Sequence, residues 1–440
     1  MALGNKYIMQ KMMKKNIGII GLWHLGCVLC AAWSKLGNYL IGFDYDDARV
    51  ENLKKGTMPI FEPNLSETIQ EGINNSLITF SNDISSLSTC DYIFLAYDTP
   101  VLDNDISDTT ILEKAVCDIR NVMKNEAILI ISSQSPVGFC NYLRLRLKEK
   151  NQSLELAYSP ENLRLGDAIH CYLNPGRIIL GTADSTTETK CKDLFTPLQA
   201  DILSMGLKSA EMVKHGLNSF LAMSIVFTNH LAELCEHTGA RIDDVISGMK
   251  SDPRIGEKAY LSPGIGFSGG TLGRDLKVLE QKNQEINGYA KIFGIIHELN
   301  NERKYSVLTR IEKILTPVRG NSLGILGATY KPGTSTLRRS LPLEIINLFI
   351  DKGFKVKVYD PKANFDELTF KPEFLIAPSI EGVSNSVDIL VLLTEWEEFK
   401  NYDWKNIPSK MRNPIFFDTK NFLDEKKMTS NGFKYYSIGR

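Results

Sequence analysis

Residues 17–26 read IGIIGLWHLG, and this stretch decides the fold of the first half of the chain. An apolar run rich in β-branched residues is typical of a buried strand, and glycines at positions 21 and 26 indicate a strand-to-helix turn. The next apolar run, YLIGFD, ends in Asp44. This spacing predicts a dinucleotide site, with the pyrophosphate on the helix N-terminus and the acid on the ribose hydroxyls.

Trp23 stands where the middle glycine of the usual GxGxxG motif lies. Because a side chain at that position crowds the pyrophosphate, the turn by itself is equally compatible with a purely structural strand-to-helix connection. Asp44 and Arg49, which can reach the adenosine end, favour a dinucleotide, and the acid disfavours the 2′-phosphate of NADP. We therefore predict that Gly21, Trp23, Gly26, Asp44 and Arg49 bind NAD.

The remaining pattern predicts an α/β fold. Apolar runs alternate with helix-length stretches, a pattern typical of a parallel sheet covered by helices on both faces. A long helical stretch then ends at Gly239, and from residue 321 the strand pattern returns. We expect two Rossmann-like doubly wound domains, joined by a long central helix and a helical dimerisation region. The expected boundaries are a mobile N-terminal extension over 1–15, a NAD-binding domain over 16–205, a central helical domain over 206–305 and a second α/β domain over 306–440.

Composition excludes several classes of protein. The 440 residues are 43% hydrophobic and 23% charged, with a formal net charge of -1, which is ordinary for a globular protein and suggests neither nucleic acid nor membrane as a partner. No apolar stretch is long enough to span a bilayer and no signal peptide is recognisable, so we expect a cytoplasmic protein. The eight cysteines lack paired metal-ligand spacing and are expected to be buried free thiols, with no metal site. Four histidines match neither metal spacing nor a nucleophile pair and are interpreted as structural: His24, His170, His215 and His230.

Six motifs follow one another along nearly all of the chain after residue 16. They are PIFEPNL at 59–65, YDTP at 97–100, SPENLRLGDAI at 159–169, AEMVKHGLN at 210–218, SDPRIG at 251–256 and YKPGTSTLRRS at 330–340. In this order they resemble the UDP-glucose/GDP-mannose dehydrogenase family, whose members oxidise the C6 alcohol of a nucleotide sugar to a carboxylate with two NAD. The resemblance implies NAD, a nucleotide-sugar substrate, a homodimer and a nucleotide-sugar-binding role for residues 306–440.

The resemblance also implies individual roles. It makes Glu161, Lys214 and Asn218 catalytic, and it adds Asp275 as a base or a residue that orients water. The cofactor set gains Thr99, Gln134, Arg274 and Arg338, and the substrate set comprises Arg254, Tyr260, Phe267, Gly270 and Lys331. Arg254 would reach the substrate of a neighbouring subunit.

Elementary chemistry is consistent with this assignment and leaves alternatives open. Lys214 and Asn218 are four residues apart on one predicted helix, so they share a face and can hold a developing alkoxide. Without the resemblance, the sequence favours a solvated surface lysine at position 214. Glu161 and Asp275 could simply be acids that stabilise helix N-termini.

The stretch GFSGGTLGRD at 266–275 departs from the family pattern G-F-G-G-(S/P)-C-(F/L)-P-K-D. Thr271 occupies the position of the cysteine that captures the aldehyde in the family. A thiol readily becomes a nucleophilic thiolate, whereas an alcohol needs a dedicated base. Other departures are Gln134 for a threonine, Ser335 and Thr336 for paired acids, and Gly273 for a proline, while Arg274 keeps the positive charge of a lysine.

We therefore predict an NAD-dependent oxidoreductase acting on a nucleotide sugar, most simply a UDP-sugar, that makes a single hydride transfer without a covalent thioester. Lys214, Asn218 and Asp275 would ease removal of the hydroxyl proton through a water. Three alternatives remain. The protein could be an epimerase that oxidises its substrate transiently with bound NAD. It could be a conventional 6-dehydrogenase that works through an aldehyde hydrate, with Glu161 placing water. It could also be a non-catalytic homologue that binds NAD and a nucleotide sugar.

Overall fold

Two open sheets with helices between their strands organise the chain. The computed structural model describes residues 14–99, 108–149, 154–160, 163–268, 270–369 and 371–440. The chain divides into two compact units, residues 1–214 and 215–440. Most of the predicted N-terminal extension, and the candidate Glu161, lie outside the described residues.

The first unit contains an eight-stranded sheet in the order β3-β2-β1-β4-β5-β6-β7-β8. Its strands are β1 (Asn16–Ile20), β2 (Tyr39–Phe43), β3 (Ile78–Ser81), β4 (Tyr92–Leu95), β5 (Ile128–Ile131), β6 (Glu155–Tyr158), β7 (Ile178–Thr182) and β8 (Ile202–Gly206). The first six strands follow the Rossmann order 3-2-1-4-5-6 and pair in parallel. The central strands β4 and β5 are buried along their whole length, because both faces of the sheet are covered there.

One strand pair departs from the expected all-parallel sheet. β6 and β7 pair antiparallel, with Tyr158 opposite Gly181. The helix between them, Ala168–Leu173, has six residues and is too short to carry the chain back along the sheet, as a parallel crossover requires. The chain therefore re-enters the sheet from the end at which it left.

The second unit contains a six-stranded parallel sheet in the order β11-β10-β9-β12-β13-β14, which is again the Rossmann order. Its strands are β9 (Ser322–Leu326), β10 (Lys355–Tyr359), β11 (Leu375–Ile376), β12 (Ile389–Leu392), β13 (Ile415–Asp418) and β14 (Lys434–Ser437). The predicted α/β class with two Rossmann-like sheets is confirmed.

The helices of the first unit connect its strands. They are α1 (His24–Lys35), α2 (Asp47–Lys54), α3 (Leu65–Asn74), α4 (Thr110–Arg120), α5 (Phe139–Glu149), α6 (Ala168–Leu173) and α7 (Ser185–Phe195). The second unit holds α9 (Ile242–Lys250), α10 (Leu272–Glu285), α11 (Ile292–Leu315), α12 (Leu341–Asp351), α13 (Ile380–Ser384), α14 (Glu397–Asn401) and α15 (Glu425–Ser430).

The long central helix α8 (Leu207–Thr238) is confirmed, and the boundary between the two units falls within it. It ends at Gly239, whose φ of +79° lies in the left-handed region that glycine adopts without strain at a helix C-terminus. No helix in the described part of the chain is both long and apolar enough to cross a membrane.

Candidate functional site

The turn between β1 and α1 is built from two glycines that no other residue can replace without movement. Gly21 has a φ of +94°. A Cβ added at Gly26 would lie 1.8 Å from the carbonyl oxygen of Gly21. Because the chain passes so tightly, α1 begins at His24, directly after the turn, and its N-terminal N–H groups are available to an anion.

Asp44 lies at the carboxyl end of β2 and is almost completely buried. Its Oδ2 accepts hydrogen bonds from the backbone N–H of Leu22 at 2.7 Å and from Nη1 of Arg49 at 3.0 Å. The guanidinium of Arg49 lies 5.5 Å from the centre of the Trp23 ring. The structure thus brings together the five residues of the first turn and second strand that were predicted to bind NAD.

These residues fit a dinucleotide. The tight glycine turn gives close backbone approach, the N-terminus of α1 suits a pyrophosphate, and Asp44 is an ionisable acceptor at the end of the neighbouring strand. When bound, NAD would supply the acceptor for a hydride.

Two further cofactor candidates follow neighbouring strands. Thr99 comes after β4 and Gln134 after β5, and the Thr99 hydroxyl donates to the Gln134 carbonyl oxygen at 2.5 Å. Thr99 is buried and Gln134 half-buried. The carboxyl ends of parallel strands meet at one edge of the sheet, so this pair extends the edge that carries the glycine turn.

Glu62, from the PIFEPNL segment, braces the same turn. Its carboxylate lies 2.8 Å from Nε2 of His24 and accepts from the backbone N–H groups of Gly166 at 3.0 Å and Ala168 at 2.9 Å. Burial raises the pKa of Glu62, but the bonds from His24 and the two backbone groups outweigh it, so the net pKa is lowered. His24 is thus held in a structural contact beside the turn.

The central helix carries a buried polar cluster. Lys214 and Asn218 are both buried, one helical turn apart on α8. In the second unit, Asn218 Nδ2 donates to Oδ2 of Asp275 at 2.5 Å, and Nδ1 of His215 lies 2.7 Å from Oδ1 of Asp275. Both oxygens of the Asp275 carboxylate therefore have fixed partners from successive turns of α8.

Sequence reasoning did not connect His215 with the site. It was interpreted as a structural histidine, and it is fully buried as that reading expects, yet its partner is the candidate base Asp275. A carboxylate on Nδ1 fixes the ring orientation and its tautomer. The sequence showed only that a histidine follows Lys214 on a predicted helix. Its contact with Asp275, which lies 60 residues further on, depends on tertiary packing.

Thr271 immediately precedes α10, and its side chain is exposed. It makes no side-chain hydrogen bond to the backbone N–H groups of the helix it precedes. Within the described ranges, its hydroxyl also has no hydrogen bond to a histidine or carboxylate that could accept its proton. The geometry lacks the nucleophile–base contact that activates an alcohol.

Three buried side chains hold the loop that leads to Thr271. Asn229 Oδ1 accepts from the Gly264 N–H at 2.8 Å, and Arg303 Nε donates to the Gly264 carbonyl oxygen at 3.0 Å. Asn300 accepts from the Phe267 N–H at 2.8 Å and donates to its carbonyl oxygen at 3.0 Å. These contacts fix the backbone of the candidate Phe267 to α8 and α11.

The same loop reaches the loop after β9. The Ser268 hydroxyl donates to the carbonyl oxygen of Tyr330 at 3.2 Å, next to the half-buried Lys331. Gly270 is half-buried and follows this contact. The two loops that carry the substrate candidates Phe267, Gly270 and Lys331 thus contact each other in the second unit.

The remaining candidates differ in their exposure. Arg254 is 89% exposed in its side chain and pairs with Asp252, through Nη2 at 2.6 Å. Tyr260 is also exposed, as is Arg338 on the loop before α12. Arg274, in the first turn of α10, is buried.

The cysteines are free thiols. Six of the eight are buried, and Cys117 and Cys171 are half-buried. In the ranges that the structure describes, no group of three His, Cys, Asp or Glu side chains could hold a metal ion.

Two Rossmann-like sheets, the first with a glycine turn and an acid at the end of the next strand, are typical of NAD-dependent oxidoreductases. Comparison with known proteins specifies the family. The NAD-binding domain of the UDP-glucose/GDP-mannose dehydrogenase family matches residues 15–199, its central domain residues 208–302 and its UDP-binding domain residues 324–425. The chain belongs to this family of NAD-dependent nucleotide-sugar dehydrogenases.

Relatives match over their full length. The UDP-glucose 6-dehydrogenase of Rickettsia typhi is 32% identical over 435 residues, which cover 96% of this chain and 99% of the relative. The UDP-glucose 6-dehydrogenase TuaD of Bacillus subtilis is 29% identical over 431 residues, covering 97% and 93%. A UDP-glucose dehydrogenase structure from Pyrobaculum islandicum superposes with a TM-score of 0.88 at 24% identity, covering 97% of this chain and 98% of that one, and supports the fold.

Proposed function

We propose that this protein oxidises an alcohol of a UDP-sugar by a single hydride transfer to NAD and releases an aldehyde or ketone. The observation that carries the proposal is Thr271: an exposed hydroxyl, without a base in its described contacts, stands where the family resemblance places a thiol. Without a thiol at this position, the carbonyl product is not captured there as a covalent intermediate.

The remaining polar groups support proton removal from the substrate. For an alcohol, the overall change is R–CH₂OH + NAD⁺ to R–CHO + NADH + H⁺. Lys214 would stabilise the developing alkoxide by its charge, and Asn218 by donating a hydrogen bond. Asp275, whose carboxylate is held by His215 and Asn218, would accept the proton through a water.

The test measures product stoichiometry. Purified protein is incubated with NAD and a panel of UDP-, GDP- and CDP-sugars, NADH is read by absorbance, and the sugars are analysed by mass spectrometry and NMR. One NADH per sugar with a carbonyl product supports the proposal. Two NADH with a new carboxylate would contradict it and favour the hydrate route. An isomerised sugar without net NADH would favour an epimerase, and neither binding nor turnover would favour a non-catalytic homologue.

Thr271→Cys provides a gain-of-function arm. If the rest of the site is competent, the introduced thiol is expected to give some uronate and a second NADH.

Lys214→Ala is expected to lower kcat by about a hundredfold or more. Lys208→Ala, an exposed lysine on the same helix, is the matched control and should leave kcat unchanged.

His215 is proposed as a positioning residue for Asp275. His215→Asn keeps a donor near the place of Nδ1 and is expected to retain most of kcat, whereas His215→Leu removes the donor and should lower kcat with little change in KM. His230→Asn, an exposed histidine on α8, serves as the control. Equal loss in the Asn and Leu variants would instead indicate that the imidazole itself carries the proton.

A homodimer and a cytoplasmic location stay predictions. The exposed aromatic and aliphatic side chains Phe220, Phe227 and Leu234, spaced seven apart on α8, support a helix face that a second copy covers. Sedimentation of the purified protein would test this.

A further inference from the structure

Arg49 is held from several directions at the end of β2. Its Nη1 donates to Asp44 at 3.0 Å, its Nη2 lies 3.3 Å from a carboxylate oxygen of Asp46, and its guanidinium faces the Trp23 ring at 5.5 Å. The side chain is 27% exposed. A partly buried guanidinium with two carboxylate partners and an aromatic ring is well fixed, because leaving this position breaks several favourable contacts.

Trp23 is the unusual member of this group. It occupies the middle position of the glycine turn, where it was expected to obstruct the pyrophosphate. Its ring instead lies within cation–π distance of Arg49. The indole thus contacts the arginine that pairs with Asp44, the acid that would hold the ribose, and it helps to keep that arginine in place.

The fixed arginine matters for the choice between NAD and NADP. In dinucleotide sites that accept NADP, an arginine near the end of the second strand binds the 2′-phosphate, and for this its donors must be free. Here both terminal nitrogens of Arg49 face carboxylates. We infer that Trp23 is a specificity-determining residue: it holds Arg49 on Asp44 and Asp46, and so keeps the guanidinium from turning to the 2′-phosphate of NADP.

The inference is tested by binding, without a sugar substrate. Calorimetric titration of the full chain with NADH and with NADPH gives the two dissociation constants and their ratio. Trp23→Leu keeps an apolar side chain in the turn but removes the cation–π contact, and it is expected to shift the ratio toward NADPH by about two- to fivefold. Trp23→Phe retains a ring and should stay near the wild-type ratio.

The same shift should depend on Arg49. In an Arg49→Ala background, Trp23→Leu is expected to leave the ratio unchanged, because no guanidinium remains to be released. Tyr142→Leu is the matched control: this ring faces Arg146 at 5.9 Å on α5, outside the glycine turn, and its loss should not change the ratio.

Two results would overturn the inference. One is a Trp23→Leu variant that binds NADH and NADPH more tightly by the same factor, which would show that the ring only crowds the pyrophosphate. The other is a shifted ratio that persists without Arg49. Trp23→Gly is a further check on crowding, and if it does not fold, the Leu and Phe variants still decide. Because NADH binding is read directly, failure of the proposed sugar oxidation leaves this test intact.

Discussion

The two Rossmann-like sheets share one strand order and differ at the turn after the first strand. In the first unit, three residues, 21–23, separate β1 from α1. In the second unit, residues 327–340 separate β9 from α12. The short turn places a helix N-terminus at the strand end, as a pyrophosphate requires, whereas the long loop places side chains there, including the substrate candidate Lys331. The same topology thus suits two different ligand chemistries.

The acids at the ends of the second strands differ in the same way. Asp360, after β10, accepts through Oδ2 from the Ala328 and Thr329 N–H groups and from the Trp396 indole, and through Oδ1 from two further backbone N–H groups. Asp44 accepts from Leu22 and Arg49 on one oxygen and from one backbone N–H on the other. A carboxylate offers about four acceptor sites, so Asp360 is saturated by its own unit and Asp44 is not.

The largest effect is expected from a substitution that disrupts the short turn between β1 and α1. Gly26→Ala would place a methyl group 1.8 Å from the Gly21 carbonyl oxygen. We expect loss of measurable NADH binding and a loss of about 3 kcal/mol in the free energy of unfolding, measured by calorimetric titration and chemical denaturation. Gly248→Ala, in a helix where no atom beyond the adjoining backbone lies within 4 Å of the added Cβ, is the control and should bind NADH normally. Normal NADH binding by Gly26→Ala would show that the short turn is not the cofactor site.

Substitution of Asp360 should mainly lower the free energy of unfolding, whereas substitution of Asp44 should mainly weaken NADH binding. Asp360→Ala leaves several buried donors unsatisfied, and we expect a loss of about 3 kcal/mol in the free energy of unfolding with unchanged NADH affinity. Asp44→Ala should weaken NADH binding by about ten- to a hundredfold and cost less stability. If the two variants behaved alike, the contrast between a saturated and an available carboxylate would be wrong.

The long loop is expected to act on the sugar nucleotide. Lys331→Ala should raise KM for the UDP-sugar by about tenfold, since a charged hydrogen bond is lost, while the dissociation constant of NADH stays constant. Lys352→Ala, an exposed lysine in the same unit, should change neither constant. A weaker NADH affinity in Lys331→Ala would assign this lysine to the cofactor instead.

The smallest effect is expected from a substitution of Glu62, whose carboxylate contacts His24 beside the short turn. The pKa of Glu62 is lowered in the folded chain, so its ionised form contributes stability above its ordinary pKa of 4.5, and this contribution is lost as the pH falls through the folded value. Glu62→Gln should therefore cost about 1 kcal/mol at pH 7, and the difference from wild type should shrink in acid. Chemical denaturation across that range measures it, and a difference that is constant with pH would contradict the ionised brace.

The fold could be predicted from local sequence patterns, because parallel strands that are buried on both faces consist of short apolar runs. The sequence also placed Gly21 and Gly26 at the strand-to-helix connection and Asp44 beside it, since the spacing of that motif is local. The antiparallel β7 was not predictable, because an apolar run carries no sign of its direction.

Contacts between segments that are distant in the sequence could not be predicted either. The bond between His215 and Asp275 depends on how α8 packs against α10. The ring of Trp23 was expected to obstruct the cofactor because the sequence does not tell where a side chain points; its cation–π contact with Arg49 appears only in three dimensions. The roles of Lys214, Asn218 and Thr271 stay predictions, which measurements of turnover and products would test.

The threonine at position 271 has a consequence for how the protein responds to oxidants and alkylating agents. Enzymes that depend on a reactive thiolate are inactivated when it is oxidised or alkylated. Here burial raises the pKa of Cys27, Cys90 and Cys191 to about 12, so these thiols carry little nucleophilic thiolate at neutral pH. With an alcohol in the glycine-rich loop, turnover should persist in peroxide and iodoacetamide, which would let this chemistry continue under oxidative stress.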